Sequence, residues 1–239
     1  MDKALLFNRI KTMIMIRAAI MAVSIVVLIV AMYSLFDAPI LSRGTNSVDT
    51  VGPFLSIGVV GLICQLITIG TLVVIMLALN SWKQIEKEAN RGNVQLLFIS
   101  AILGIAGYVI ALVGAGGLQI ILMLVAYILD TIAYSQLKNS AEMTEMERTG
   151  AKKLFWSQMW LLIGVVVVIV TSVVLFALGS HMALDAPVSP GAAYFAAKTM
   201  MICVSIIYFA IVGGYFYFQI KGWNILAKAQ SEEKTHMER

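Results

Sequence analysis

Asp130 is the only acidic residue inside any of the long apolar stretches of this chain. A carboxylate in hydrocarbon is costly enough to be a functional candidate by default. Tyr127, Asp130, Thr131 and Tyr134 follow the i, i+3, i+4, i+7 spacing of one helix face, and Lys138 continues the line. On a water-accessible face such a set would bind a proton or another cation. The simpler reading is a carboxylate hydrogen-bonded to the tyrosines or reached by a snorkelling Lys or Arg. That reading is preferred here, because one acid without a second deep charge makes a poor relay. Gln65 is the other polar point, with Gly61, Cys64 and Thr68 beside it on the helix surface. It suits an interhelical hydrogen bond worth about 0.6 to 2 kcal/mol, or the lining of a polar passage. Asp130, Tyr127, Thr131, Tyr134 and Gln65 are therefore the candidate intramembrane site.

Other chemistry finds few residues to carry it. No HExxH, phosphate loop or nucleophile elbow occurs. His181 and His236 fall on opposite sides of the expected membrane, which removes a paired-His metal site. Lys198 lies near the outer end of its span, where it snorkels, whereas a Schiff-base Lys needs a counter-ion that Asp130 is too far away to provide. Cys64 and Cys203 both fall within spans and read as buried thiols. The expectation is a chain that is not an enzyme and has no metal or cofactor.

The elements that must position these residues follow from composition. Of 239 residues, 60% are hydrophobic and only 13% charged, with mean hydropathy +0.92. Soluble domains run at about half apolar and about a quarter charged. A hydrocarbon core about 30 Å thick needs roughly 20 apolar residues per helix. Six windows qualify, near Ala18 to Phe36, Phe54 to Leu79, Val94 to Gly114, Gly117 to Leu137, Leu154 to Leu178 and Ala196 to Ile220. Gly114, Gly116 and Gly117 supply the tight reversal between the third and fourth. The basic amino-terminal segment, with Lys3, Arg9, Lys11 and Arg17 among apolar residues, fits either a helix among headgroups or a simple extension of the first span. The first span is too long for a secretory signal, and Asp37-Ala38-Pro39 is a poor cleavage site.

Of the 17 Lys and Arg residues, all but Arg43 and Lys198 fall on one side of this scheme, which by the positive-inside rule is the cytoplasm. Both termini are then cytoplasmic. Asp49 and Asp185 fall outside, and Pro39, Pro53, Pro187 and Pro190 all fall in the two longer outer connections, leaving the spans free of proline kinks. Basic residues beside lipid attract anionic headgroups, so a pI near 9.1 does not call for nucleic acid.

The ends of the even-numbered spans align without gaps as Asn80-Ser81-Trp82-Lys83, Ser135-Gln136-Leu137-Lys138 and Phe218-Gln219-Ile220-Lys221. Leu97-Phe98-Ile99-Ser100 and Leu154-Phe155-Trp156-Ser157 open the spans that follow the first two. Hairpin repeats over 1–83, 84–138 and 139–221 are one explanation; recurring interfacial aromatics and basic anchors are the other. Tandem hairpins closed by Lys resemble uncharacterised prokaryotic multi-pass membrane proteins built from tandem transmembrane hairpins. The resemblance implies a six-helix bundle and supplies no substrate.

The expected fold is all-α: one transmembrane domain over 1–239, six transmembrane helices in three hairpins, and a cytoplasmic tail over 222–239. The first functional expectation is a scaffold or accessory subunit of the cell membrane, packing in the lipid bilayer with itself as a homo-oligomer or with another membrane protein. The alternative is a channel or transporter for an ion or small solute, using the polar face around Asp130.

Overall fold

In hydrocarbon every backbone polar group needs a partner within the protein, which a helix supplies from its own segment. The computed structural model describes residues 2–37, 51–185 and 190–237. It has six helices: α1 (Lys3–Asp37), α2 (Val51–Ile85), α3 (Glu88–Leu112), α4 (Gly116–Leu137), α5 (Glu145–Asp185) and α6 (Pro190–Met237). All six are long and apolar enough to cross a membrane. There is no strand among the described residues, and the fold is that of a multi-pass helical membrane protein. Pro39, Arg43, Asp49 and Pro187 lie outside the described residues, as does the side chain of Lys198.

The helices outrun the apolar windows at the end of the bundle where the basic residues collect. α1 runs unbroken from Lys3, so the extension alternative holds, and Leu6, Phe7 and Ile10 are buried against other helices rather than lying among headgroups. α5 begins earlier because Thr144 and Glu147 form a capping box. The Thr144 amide donates to Glu147 Oε2 at 2.8 Å, and the Glu147 amide to Thr144 Oγ1 at 3.2 Å. The segment expected as a cytoplasmic tail continues α6 as helix to Met237. Trp223, Leu226 and Ala227 within it are buried, and Gln230 donates to Glu147 Oε1 at 2.7 Å. Pro53 and Pro190 stand in the first turns of α2 and α6 rather than in connections. A first turn has no intrahelical acceptor for the missing amide hydrogen.

Between α3 and α4 the chain reverses through Gly114, which alone takes a left-handed φ of 84°; Gly116 and Gly117 already belong to α4. α5 and α6 approach each other closely at their glycines. A Cβ on Gly222 would sit 2.6 Å from Leu154 and 3.0 Å from the Gly150 carbonyl oxygen, and one on Gly150 would meet Leu226 at 2.8 Å. Gly107 and Gly214 also face close neighbours, Met123 and Trp160. Gly58, Gly61 and Gly213 border open space instead.

Each helix packs on two others. α1 touches α2 and α6, α2 touches α3, α3 touches α4, α4 touches α5, and α5 touches α6. Among the described residues no helix approaches one across the bundle. The six therefore close into a ring, and a ring of six helices leaves space along its axis that side chains must fill or leave open.

Candidate functional site

At the basic end the axis is filled. Phe7 of α1, Trp82 of α2 and Trp223 of α6 are each 1% exposed, with ring centroids 4.8 Å apart for Phe7 and Trp82, 5.8 Å for Phe7 and Trp223, and 6.0 Å for the two indoles. Edge-on and tilted contacts of this kind suit aromatic quadrupoles. Each indole N–H has an acceptor: Trp82 donates to the Glu86 carboxylate, and Trp223 to Gln219 Oε1 at 3.1 Å. Lys3 completes this end with an ion pair to Glu86 at 3.0 Å.

Farther along the axis the side chains shrink to Ser100, Ala101 and Gly104 on α3 and Ala126 on α4, and a cavity of about 250 Å3 opens. All six helices line it. Asp130, Tyr127 and Tyr134 face it together, as their helical spacing requires. Thr131 does not: its hydroxyl donates to the Tyr127 carbonyl at 2.8 Å, which satisfies it within α4. Tyr127 donates to the Gln158 carbonyl of α5 at 2.9 Å. Ser100 is the hydroxyl within hydrogen-bonding reach of Asp130. Tyr134 pairs with Gln219 and Tyr215 with Gln158. Gln219 in turn donates to Ser157 Oγ at 2.8 Å, so the polar wall is braced from α4 through α6 to α5.

Arg17 corrects the sequence reading most. Taken there as a basic boundary residue, it lines the same cavity as Asp130. α1 begins at Lys3, and about 14 residues at 1.5 Å each carry Arg17 some 21 Å along the bundle. Asp130 thus shares its cavity with a second ionisable side chain. The two influence each other through space, and neither of the ion pairs among the described residues joins them. The sequence signal was available: Met13-Ile14-Met15-Ile16 precedes Arg17 and Ala18-Ala19-Ile20-Met21 follows it, so the residue stands inside an apolar run.

Gln65 lies apart from Asp130 but next in line. A second cavity, of about 390 Å3, is lined by Gln65, Cys64, Thr68 and Gln119 and shares Arg17, Tyr108 and Phe216 with the first. Gln65 donates to the Tyr108 carbonyl at 2.9 Å, the interhelical bond expected of it. Thr68 satisfies its hydroxyl on the Cys64 carbonyl at 2.8 Å. The polar residues of α2 and α4 therefore belong to two adjoining chambers, with Arg17 at their junction.

No protein-family profile, no curated protein and no solved structure matches this chain. The chamber around Arg17 and Asp130 thus has to be interpreted from its own chemistry. It offers a guanidinium, a carboxyl group and hydrogen-bonding groups in a space no protein side chain fills.

Proposed function

We propose that the protein is a membrane carrier for a small polar solute, which binds in the chamber between Arg17 and Asp130. The observation that carries this is the pair of opposite charges on a cavity lined by all six helices. Charges inside a membrane bundle are expensive and mark solute or ion paths when they face a cavity. A scaffold has no need of a hollow interior with charged groups on its largely apolar wall, so the cavity favours the carrier over the packing role that the long apolar spans suggest alone. The chain is read as three hairpins, with the basic end and both termini in the cytoplasm of a cell-membrane protein, by the asymmetry of Lys and Arg. A hairpin repeat gains support from two matched contacts: Lys83 lies 5.1 Å from the Phe98 ring centre and Lys138 3.4 Å from that of Phe155, at corresponding positions.

Uptake into liposomes of purified protein tests the carrier. The probes are labelled glycine betaine, choline, methanesulfonate and erythritol, one for each charge type. The expected result is protein-dependent uptake of at least one probe, reduced about tenfold or more by Asp130→Asn, the scale of a lost charge-assisted contact. Uptake of none above protein-free liposomes, from monodisperse protein, would overturn the proposal and return the scaffold to first place.

A further inference from the structure

We infer that the solute is a small zwitterion, with its anionic group at Arg17 and its cationic group at Asp130. This rests on the carrier reading and adds the chemical class of what is carried. Arg17 and Asp130 come from α1 and α4, helices that do not touch, and both line one cavity without joining in a direct ion pair. A directly joined pair would neutralise itself and leave a solute little to bind. Held apart, each charge is incompletely compensated in a medium where charge is costly, and a solute with complementary poles compensates both.

The same geometry disfavours simpler solutes. A bare cation at Asp130 meets the guanidinium of Arg17 across the chamber, and a bare anion at Arg17 meets the Asp130 carboxylate. An apolar solute would strip water from both charges and return no hydrogen bond. A neutral polyol could bond to Ser100, Gln158 and Gln219 but would leave the charges uncompensated. At about 250 Å3 the chamber lies near the lower end of small-molecule sites, roughly 300 to 1,000 Å3, so it suits a solute of few heavy atoms. Arg also fits the anionic pole better than Lys would, because its planar fork takes a carboxylate in a bidentate contact.

The test compares initial uptake rates of the four probes in wild-type liposomes, which needs no variant to fold. Glycine betaine is expected to enter about tenfold or more faster than choline, methanesulfonate or erythritol, the difference one uncompensated charge makes. Arg17→Gln is then expected to lower glycine betaine uptake about tenfold while choline uptake rises relative to it, and Asp130→Asn to shift the preference toward methanesulfonate. Wild-type preference for choline, methanesulfonate or erythritol would overturn the zwitterion assignment and leave the carrier standing. Uptake of no probe would overturn both. Equal loss of every probe in both variants, with each still monodisperse, would also overturn the assignment, because the two charges would then have no separate roles.

Discussion

The basic end and the middle of this bundle are the same ring filled in two ways. At the basic end Phe7, Trp82 and Trp223 meet on the axis with every indole N–H accepted. In the middle the axis passes Ser100, Ala101, Gly104 and Ala126 and stays open, with Arg17 and Asp130 on its wall. Helix length and apolarity do not distinguish the two regions. Side-chain volume does. Where large side chains fill the axis, the ring gains packing, which drives helix association in lipid because the tails are as apolar as Leu. Where α3 and α4 offer only small ones, the ring gives up packing and acquires a chamber with a few polar groups on a mostly apolar wall.

The largest effect is expected where the filling is removed. Trp82→Ala should lower unfolding stability in detergent by about 3 to 5 kcal/mol, since it empties a packed aromatic site and leaves Phe7 and Trp223 with only each other. A loss below about 1 kcal/mol would mean the basic end is not where the ring is held together. Gly222→Ala should cost less, about 1 to 3 kcal/mol, because its Cβ meets Leu154 and the Gly150 carbonyl and forces α5 and α6 apart. Chemical denaturation of each variant measures both.

A single substitution made in both regions sharpens the contrast. Ala227→Phe, one helical turn beyond Trp223 and 4% exposed, should cost about 1 to 3 kcal/mol by overpacking. Ala101→Phe, on the cavity wall, should cost less than that and abolish probe uptake. Equal costs at the two positions would erase the distinction between filled and open regions.

The smallest effect belongs to the exposed rim. Lys87 holds its proton above the usual lysine range, because Glu142 accepts its hydrogen bond at 3.2 Å and the adjacent negative charge adds to this. The folded pKa is raised, so this contribution is complete below 10.5, the value without a partner, and is lost as pH rises through the higher folded value. Lys87→Gln should lower stability slightly at neutral pH, and the difference from the native protein should disappear as pH rises through the folded value. A difference of the same size at neutral pH and above the folded value would mean that the Lys87 charge is not its source.

The six helices were legible in the sequence because 20-residue apolar runs have one stable form in lipid. Asp130, Tyr127 and Tyr134 were legible as a face because helical spacing brings them together. Thr131 shares that spacing yet turns back to the Tyr127 carbonyl, a local choice that periodicity does not reveal. Arg17 was misread because an apolar window was taken to begin after the last charge, while the helix itself begins at Lys3. Trp82, Phe7 and Trp223 were not legible as a cluster, since residues 7, 82 and 223 meet only once α6 closes on α1. Leu6-Phe7 of α1 has the same buried Leu as Leu97-Phe98 of α3 and Leu154-Phe155 of α5, a match hidden in the sequence because Leu6 precedes the apolar window of its helix.

The most direct test is an experimental density map of the protein in a lipid nanodisc, read at Arg17 and Asp130. The expected result is an open chamber in which solvent or solute density separates the guanidinium from the carboxylate, with Ser100, Tyr127 and Tyr134 on its wall. A closed interior, with Arg17 and Asp130 joined in a direct pair and apolar side chains packed across the axis, would contradict it.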